Sequence, residues 1–323
     1  MKVVTVTSGS RGGTGKTTIL LNVALLHAYV SYINNKNYIL LTDAEFQEGT
    51  ATYRISPELS LKYKEGKIKS LIDFILDEAD IREIIKVAVF KPDKDTRFPV
   101  LLTSAMTLPS KYKALQKMDL GQILDRLELL IKELSKLLPI EAIYIDMPAT
   151  RIHETFSIAL FALSDFIIPI GVPDPTSLLT LYTTVTAIRD YIKPPPTINV
   201  AVVNRITIEN SIEPHTGKRY TDLYRKLLGV RFVVAIPDDP NLSATSAAGM
   251  IEILSERLKN VRSIKRLKKL ASYVIEHELA HVPKRVINLE YMHKFLSLGY
   301  KTNEEAEAIL LALYRARRRI PIE

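Results

Sequence analysis

Short runs rich in Val, Ile and Leu alternate along the chain with longer segments whose apolar positions recur every three or four residues. That alternation predicts parallel strands joined by crossover helices. Strands are expected at Val3–Thr7, Tyr38–Asp43, Val100–Thr103, Ala142–Asp146, Phe166–Gly171, Ile198–Asn204 and Phe232–Ile236, nearly all apolar, as suits strands covered on both faces. Crossover helices are expected at Lys16–Asn34, Leu120–Leu137, Thr176–Tyr191 and Thr221–Leu228. Val87–Val100, with Lys91-Pro92-Asp93 inside it, reads as a loop or hairpin excursion, and Pro194-Pro195-Pro196 as a rigid connector. After Ile236 the strands are expected to stop, with a boundary near Pro283. The pattern therefore predicts a doubly wound, mostly parallel α/β domain over residues 1–282 and a small helical C-terminal appendage over 283–323.

The most apolar stretch, Phe156–Val172, is split by Ser164 and Asp165. It reads as a helix end followed by a buried strand, because a membrane span needs about 20 apolar residues. Met1 leads directly into the first strand with no signal pattern, so a cytoplasmic protein is expected. The chain holds no Cys, which excludes disulfides, thiolate metal ligands and a cysteine nucleophile.

Charge changes the picture at one end only. Of a net +8 over 323 residues, residues 1–254 hold 29 basic and 28 acidic side chains, and residues 255–323 hold 15 basic and 8 acidic. A basic end on a neutral body points to a polyanion, either nucleic acid or an anionic membrane, or else to a solvated helix face.

The strongest chemical signal is Ser8-Gly9-Ser10-Arg11-Gly12-Gly13-Thr14-Gly15-Lys16-Thr17-Thr18, placed after a strand and before a helix as a P-loop requires. Glycines let successive backbone N–H groups converge on phosphate oxygens and the helix directs its positive end at them. Lys16 supplies a point charge, and Thr17 a hydroxyl for Mg²⁺.

The strict pattern wants Gly where Ser10 stands. Arg11-Gly12-Gly13-Thr14-Gly15-Lys16-Thr17 instead resembles the Lys-Gly-Gly-x-Gly-Lys-Thr loop of the ParA/MinD superfamily of deviant Walker A ATPases, departing only at its first position. In that family the leading Lys reaches across a dimer to the partner's nucleotide. Arg11 keeps the charge and can grip phosphate through two N–H groups, or it marks a weakened branch. Gly12, Gly13, Thr14, Gly15, Lys16, Thr17 and Thr18 are the expected phosphate contacts.

Further matches follow in the family's order. Asp43-Ala44-Glu45-Phe46-Gln47 resembles its Asp-x-Asp-Pro-Gln switch, which implies Asp43 near Mg²⁺ and Glu45 in place of the water-orienting Asp. The apolar run ending at Asp146-Met147-Pro148 resembles its Walker B segment, with Asp146 holding Mg²⁺. Asn204 resembles the Asn whose amide reads adenine, and Ile236-Pro237-Asp238-Asp239-Pro240 the loop that closes over the base, through Pro237 and Asp238.

Three motifs lie toward the C-terminus. His277-Glu278-Leu279-Ala280-His281 fits the His-Glu-x-x-His zinc pattern, with Glu304, Glu305 or His293 as third ligands. Pro283 and the lack of a downstream sheet favour instead a helix end that carries two His. Arg257, Lys259, Arg262, Lys265, Arg266, Lys268 and Lys269 interleave with Leu258, Val261, Ile264, Leu267 and Leu270, predicting a helix with one packed and one cationic face. Beyond it, Lys284–Leu289, a short helix to Gly299 and Tyr300-Lys301-Thr302 leading into a second helix resemble a ribbon-helix-helix module, while Asn303–Arg319 reads more simply as a packed terminal helix.

The resemblance implies a slow ATPase that uses ATP and Mg²⁺ and forms an ATP-dependent homodimer in DNA partition or intracellular positioning. It also implies nonspecific DNA binding through the basic region, association with the nucleoid, and a ParB-like or other adaptor partner. The alternatives are a MinD-like membrane-associated ATPase, with the membrane as the less favoured partner, and a nucleotide-binding scaffold with little turnover. The nitrogenase iron-protein branch is excluded because it needs Cys.

Overall fold

The structure is a computed structural model that describes residues 1–9, 11–34, 37–91, 96–149, 155–240, 242, 252–254, 258–277 and 285–287. Its strands in chain order are β1 (Lys2–Thr7), β2 (Tyr38–Asp43), β3 (Lys86–Phe90), β4 (Phe98–Ser104), β5 (Ile140–Asp146), β6 (Phe166–Gly171), β7 (Ile192–Lys193), β8 (Val200–Ile206), β9 (Phe232–Pro237) and β10 (Val286–Ile287). Eight of them form one sheet in the order β3-β4-β2-β5-β1-β6-β8-β9. All neighbours are parallel except β3 and β4. The loop or hairpin excursion expected between Val87 and Val100 is thus a hairpin that closes one edge, and every strand expected from the sequence is present.

The helices are α1 (Lys16–Asn34), α2 (Thr50–Ile55), α3 (Pro57–Lys64), α4 (Leu71–Ile75), α5 (Ile81–Ile84), α6 (Pro109–Leu115), α7 (Leu120–Leu137), α8 (Thr155–Leu163), α9 (Pro175–Tyr191), α10 (Tyr220–Leu228) and α11 (Arg262–Glu276). Helices α7 to α10 pack on one face of the sheet and α1 with α11 on the other, which makes the fold doubly wound. Helix α7 illustrates the local logic. Asp119 and Gln122 close a capping box at its start, and Leu120, Ile123, Leu127, Leu130 and Leu134 put one buried stripe against the sheet.

The polar pair that interrupts Phe156–Val172 serves the turn between α8 and β6. Asp165 Oδ2 accepts the Val3 N–H at 2.9 Å, and the Ser164 and Thr5 hydroxyls meet at 2.5 Å, so the turn is tied to β1. No helix among the described residues is long and apolar enough to cross a membrane.

The expectation that strands end at Ile236 is corrected by β10, which pairs antiparallel with β7. Just before it Arg285 donates to the carbonyls of Pro194 and Ala162, so this short strand is pinned to the body by side-chain bonds. Of the segment likened to a ribbon-helix-helix module only residues 285–287 are described, and they pair with β7; Pro283 and the two terminal helices lie outside the described residues.

Candidate phosphate-binding site

The loop between Thr7 and Lys16 leaves the end of a central strand and enters the first turn of α1. Gly13 and Gly15 hold φ at +74° and +85°, a region closed to most residues. A Cβ on Gly15 would sit 2.3 Å from Asn204 Nδ2, whose N–H donates to the Thr14 carbonyl at 2.8 Å. At Gly12 and Gly13, by contrast, the same construction meets nothing within 4 Å, so there is open space beside both glycines. Thr14 Oγ1 is buried and has no hydrogen-bond partner among the described residues. Open space, an orphan hydroxyl and the start of a 19-residue helix suit a phosphate group.

Asp146 ends β5 beside this loop and holds both polar residues that open α1. Lys16 Nζ donates to one carboxylate oxygen at 2.9 Å, and Thr17 Oγ1 donates to the other at 2.6 Å. Asp43 ends β2 directly opposite Asp146 in the register of the two strands. Burial, and then the neighbouring Asp146 carboxylate, push the Asp43 acid up to about 7. Its oxygens accept from the Thr52 N–H (2.7 Å), the Thr52 hydroxyl (2.8 Å) and the Glu45 N–H (3.2 Å).

Two facing carboxylates and a hydroxyl are the small donor set with which a protein holds Mg²⁺, since phosphate oxygens and waters complete its shell. Thr17, Asp43 and Asp146 therefore fit that ion. Among the described residues no three His, Asp or Glu side chains form a ready-made metal cage.

Other expected residues take positions that the sequence did not foretell. Glu45 Oε2 accepts from the Thr50 N–H and hydroxyl at 3.2 and 2.9 Å, so it closes the loop into α2. The Thr18 hydroxyl accepts from Arg54 Nη1 at 2.9 Å. Arg11 pairs with Asp174, which also accepts the Ser177 N–H at the start of α9. Asn204 supports the loop, and Arg205 behind it turns the chain at φ +58°, where the register of β8 slips against β9. Pro237 lies opposite Ile206, and the Asp238 N–H donates to the Ile206 carbonyl at 3.1 Å, which brings this loop beside the end of β8.

Sequence reasoning missed Thr50, Thr52, Arg54 and Asp174. The run Asp174-Pro175-Thr176-Ser177 carries a readable helix-start signal, which the structure confirms as an N-cap. Its tie to Arg11 has no local signature.

Helix α11 has the expected two faces. Ile264, Leu267, Leu270, Ala271 and Val274 are buried, while Arg262, Lys265 and Lys269 are exposed and Arg266 and Lys268 half-buried. His277 lies just past its end, stacked on Tyr273 with centroids 5.3 Å apart and 5.4 Å from Phe166. His281 and the other proposed zinc ligands lie outside the described residues.

No family model matches the chain, and no curated protein matches its sequence. Solved structures do match in shape. MinD from Pyrococcus horikoshii, complexed with Mg-ADP, is 17% identical with a TM-score of 0.61, the alignment covering 85% of this chain and 96% of that one. A variant of McdA from Cyanothece in complex with ATP is 15% identical with a TM-score of 0.60, covering 87% and 99%. A plasmid partition protein from Borrelia burgdorferi bound to AMPPNP is 14% identical with a TM-score of 0.58, covering 83% and 98%. At identities this low the likeness speaks for the fold alone, and the chain shares the α/β fold of these MinD, McdA and partition-protein structures.

Proposed function

We propose that the chain is a ParA/MinD-type positioning ATPase that binds Mg-ATP at the loop Arg11–Thr18. The observation that carries this reading is the grip of Asp146 on Lys16 and Thr17, which sets a cation and a hydroxyl side by side at the start of α1. The nucleotides in the matching MinD, McdA and partition-protein structures support it. Thr17, Asp43 and Asp146 would hold Mg²⁺, which neutralises charge on the phosphates when bound. Lys16 would leave Asp146 for a phosphate oxygen, and Asn204 would keep the loop in shape while its Oδ1 faces the purine edge, with Pro237 and Asp238 alongside.

The finer parts of the reading are an ATP-dependent dimer, nonspecific DNA binding through α11, and an adaptor partner of the ParB kind. Residues 1–282 would form the ATPase domain and 283–323 the appendage. Binding of a fluorescent ATP analogue with and without Mg²⁺ tests the core of the proposal. A parent protein that does not bind, or a Lys16→Ala variant that binds as tightly as the parent, refutes it.

A second reading, a nucleotide-binding scaffold with little turnover, is favoured by Glu45. Its carboxylate is engaged with Thr50 rather than held out to orient a water. Phosphate release measured over hours at saturating Mg-ATP separates the two.

A further inference from the structure

At the edge of the sheet opposite the β3–β4 hairpin, β9 borders a groove of about 610 Å³ between α10 and α11. Phe232 gives its N–H to Asn199 on the β8 side. Because backbone polar groups alternate sides along a strand, those of Val233 and Ala235 point away from β8, into the groove. Side chains alternate as well. Phe232, 51% exposed, stands edge-on to Tyr273 of α11, whereas Val233 packs with the cluster that includes α10.

The rim is cationic. Arg225 comes from α10, Arg231 from the turn before β9, and Arg266 and Lys269 from α11. The acid in the lining is Asp222, 3.5 Å from Arg225, and both of those side chains are more than half exposed. Among the described residues Arg231, Arg266 and Lys269 have no carboxylate within ion-pairing reach.

We infer that the β9 edge is a docking site for an extended acidic segment of a partner protein, which adds to the sheet as a ninth strand with apolar and acidic residues in alternation. Backbone pairing to Val233 and Ala235 supplies binding, Phe232 and Tyr273 receive the apolar side chains on the α11 side, and Arg225 on the α10 side with Arg231 at the start of the strand receives the acidic ones, while Arg266 and Lys269 add positive charge to the rim. A second copy of this chain is the poorer occupant, because edge-to-edge pairing would bring two sets of these cations together. Duplex DNA would meet the cations yet leave the strand's polar groups unpaired. The site is separate from the P-loop, so it does not rest on the proposed turnover.

The test uses the full chain and a fluorescein-labelled peptide of five Glu-Val repeats, read by anisotropy. Controls are a five-repeat Lys-Val peptide and a Glu-Val peptide whose alternate Val are Pro, which keeps the charge and removes strand pairing. The Glu-Val peptide is expected to bind, the Lys-Val peptide not to bind, and the Pro peptide to lose at least tenfold. Arg225→Glu with Arg231→Glu is expected to weaken binding at least tenfold while the protein melts as the parent does. Amide exchange at Val233 and Ala235 is expected to slow in the complex. Absence of binding, equal binding of the Pro peptide, or unchanged exchange at those two amides overturns the inference. Full displacement by a 20-base-pair duplex with no change at the two amides assigns the groove to nucleic acid instead.

Discussion

Arg11 and Asp174, 163 positions apart in sequence, form an ion pair that ties the phosphate loop to the cap of α9. Both side chains are more than a third exposed, and a pair of that kind contributes only about 0–1 kcal/mol. It is weak enough to be exchanged for a phosphate. Asp174→Asn keeps an oxygen for the Ser177 N–H and releases Arg11, so ATP-dependent dimerisation should increase. Arg11→Ala should keep nucleotide binding and lose dimerisation. Light scattering checks both, and equal dimerisation by Arg11→Ala would remove any role for this residue across an interface.

Lys16→Ala should weaken Mg-ATP binding by about 1.5–3 kcal/mol, the value of a charge-assisted contact, which is at least tenfold. Because Asp146 anchors both Lys16 and Thr17, Asp146→Ala should lose at least as much and should also abolish the dependence on Mg²⁺. Titration with a fluorescent ATP analogue at two Mg²⁺ concentrations measures both effects.

Gly15→Ala and Gly217→Ala make a matched pair, since both glycines have positive φ while only Gly15 has a neighbour where the new Cβ would fall. The left-handed conformation alone costs a non-glycine residue about 1–2 kcal/mol. Gly217→Ala should show that loss in urea denaturation. Gly15→Ala should show more, because Asn204 must move, and it alone should lose nucleotide binding.

The basic face of α11 gives a salt-dependent prediction. Each phosphate neutralised contributes about 0.9 to the slope of log K against log salt for duplex DNA. Replacing Lys265, Arg266, Lys268 and Lys269 by Gln should flatten that slope and leave ATP binding intact. A quadruple variant that binds DNA as tightly as the parent at every salt concentration would end the DNA reading. A parent that prefers anionic liposomes would turn it toward membranes.

His27 lies on the buried side of α1, with Nδ1 2.9 Å from the Tyr144 hydroxyl and Nε2 3.2 Å from Glu141. Burial is the larger effect and holds the ring below its ordinary pKa, so the fold prefers it neutral. The stability this contributes is present above the unfolded value of about 6.5 and is lost as pH falls from there through the lower folded value. Urea midpoints at pH 7.5 and 5.5 should therefore drop more for the parent than for His27→Gln. An equal drop would exclude His27 as the cause.

The sheet was legible because its strands are buried on both faces, which leaves uninterrupted apolar runs, and helix α7 carries a capping box and a clear period, while α1 was marked by the glycine-rich loop before it. Helices α2 to α6 were not. They have four to eight residues each, too short for a period to register, and what makes them helical is packing against the sheet and caps such as Ser70 with Asp73. The same division runs through the site. Lys16, Thr17 and Asp146 could be named from strand-end motifs, but the Thr52 clamp on Asp43 and the Asp174 partner of Arg11 arise from tertiary approach, which no local pattern encodes.

Lys2, at the start of the central strand, places its amine on the carbonyls of Val274 and His277 at the end of α11, at 2.9 and 2.6 Å. The contact to Val274 spans 272 positions, and α11 covers the apolar side of α1. On the ribosome, α1 thus emerges long before its cover does. Its apolar side must stay shielded from other chains until α11 has been made, and pairings so distant in sequence are slow to close. A chain cut before Arg262 should therefore collect as aggregate rather than as a smaller working protein, whatever its P-loop could still bind.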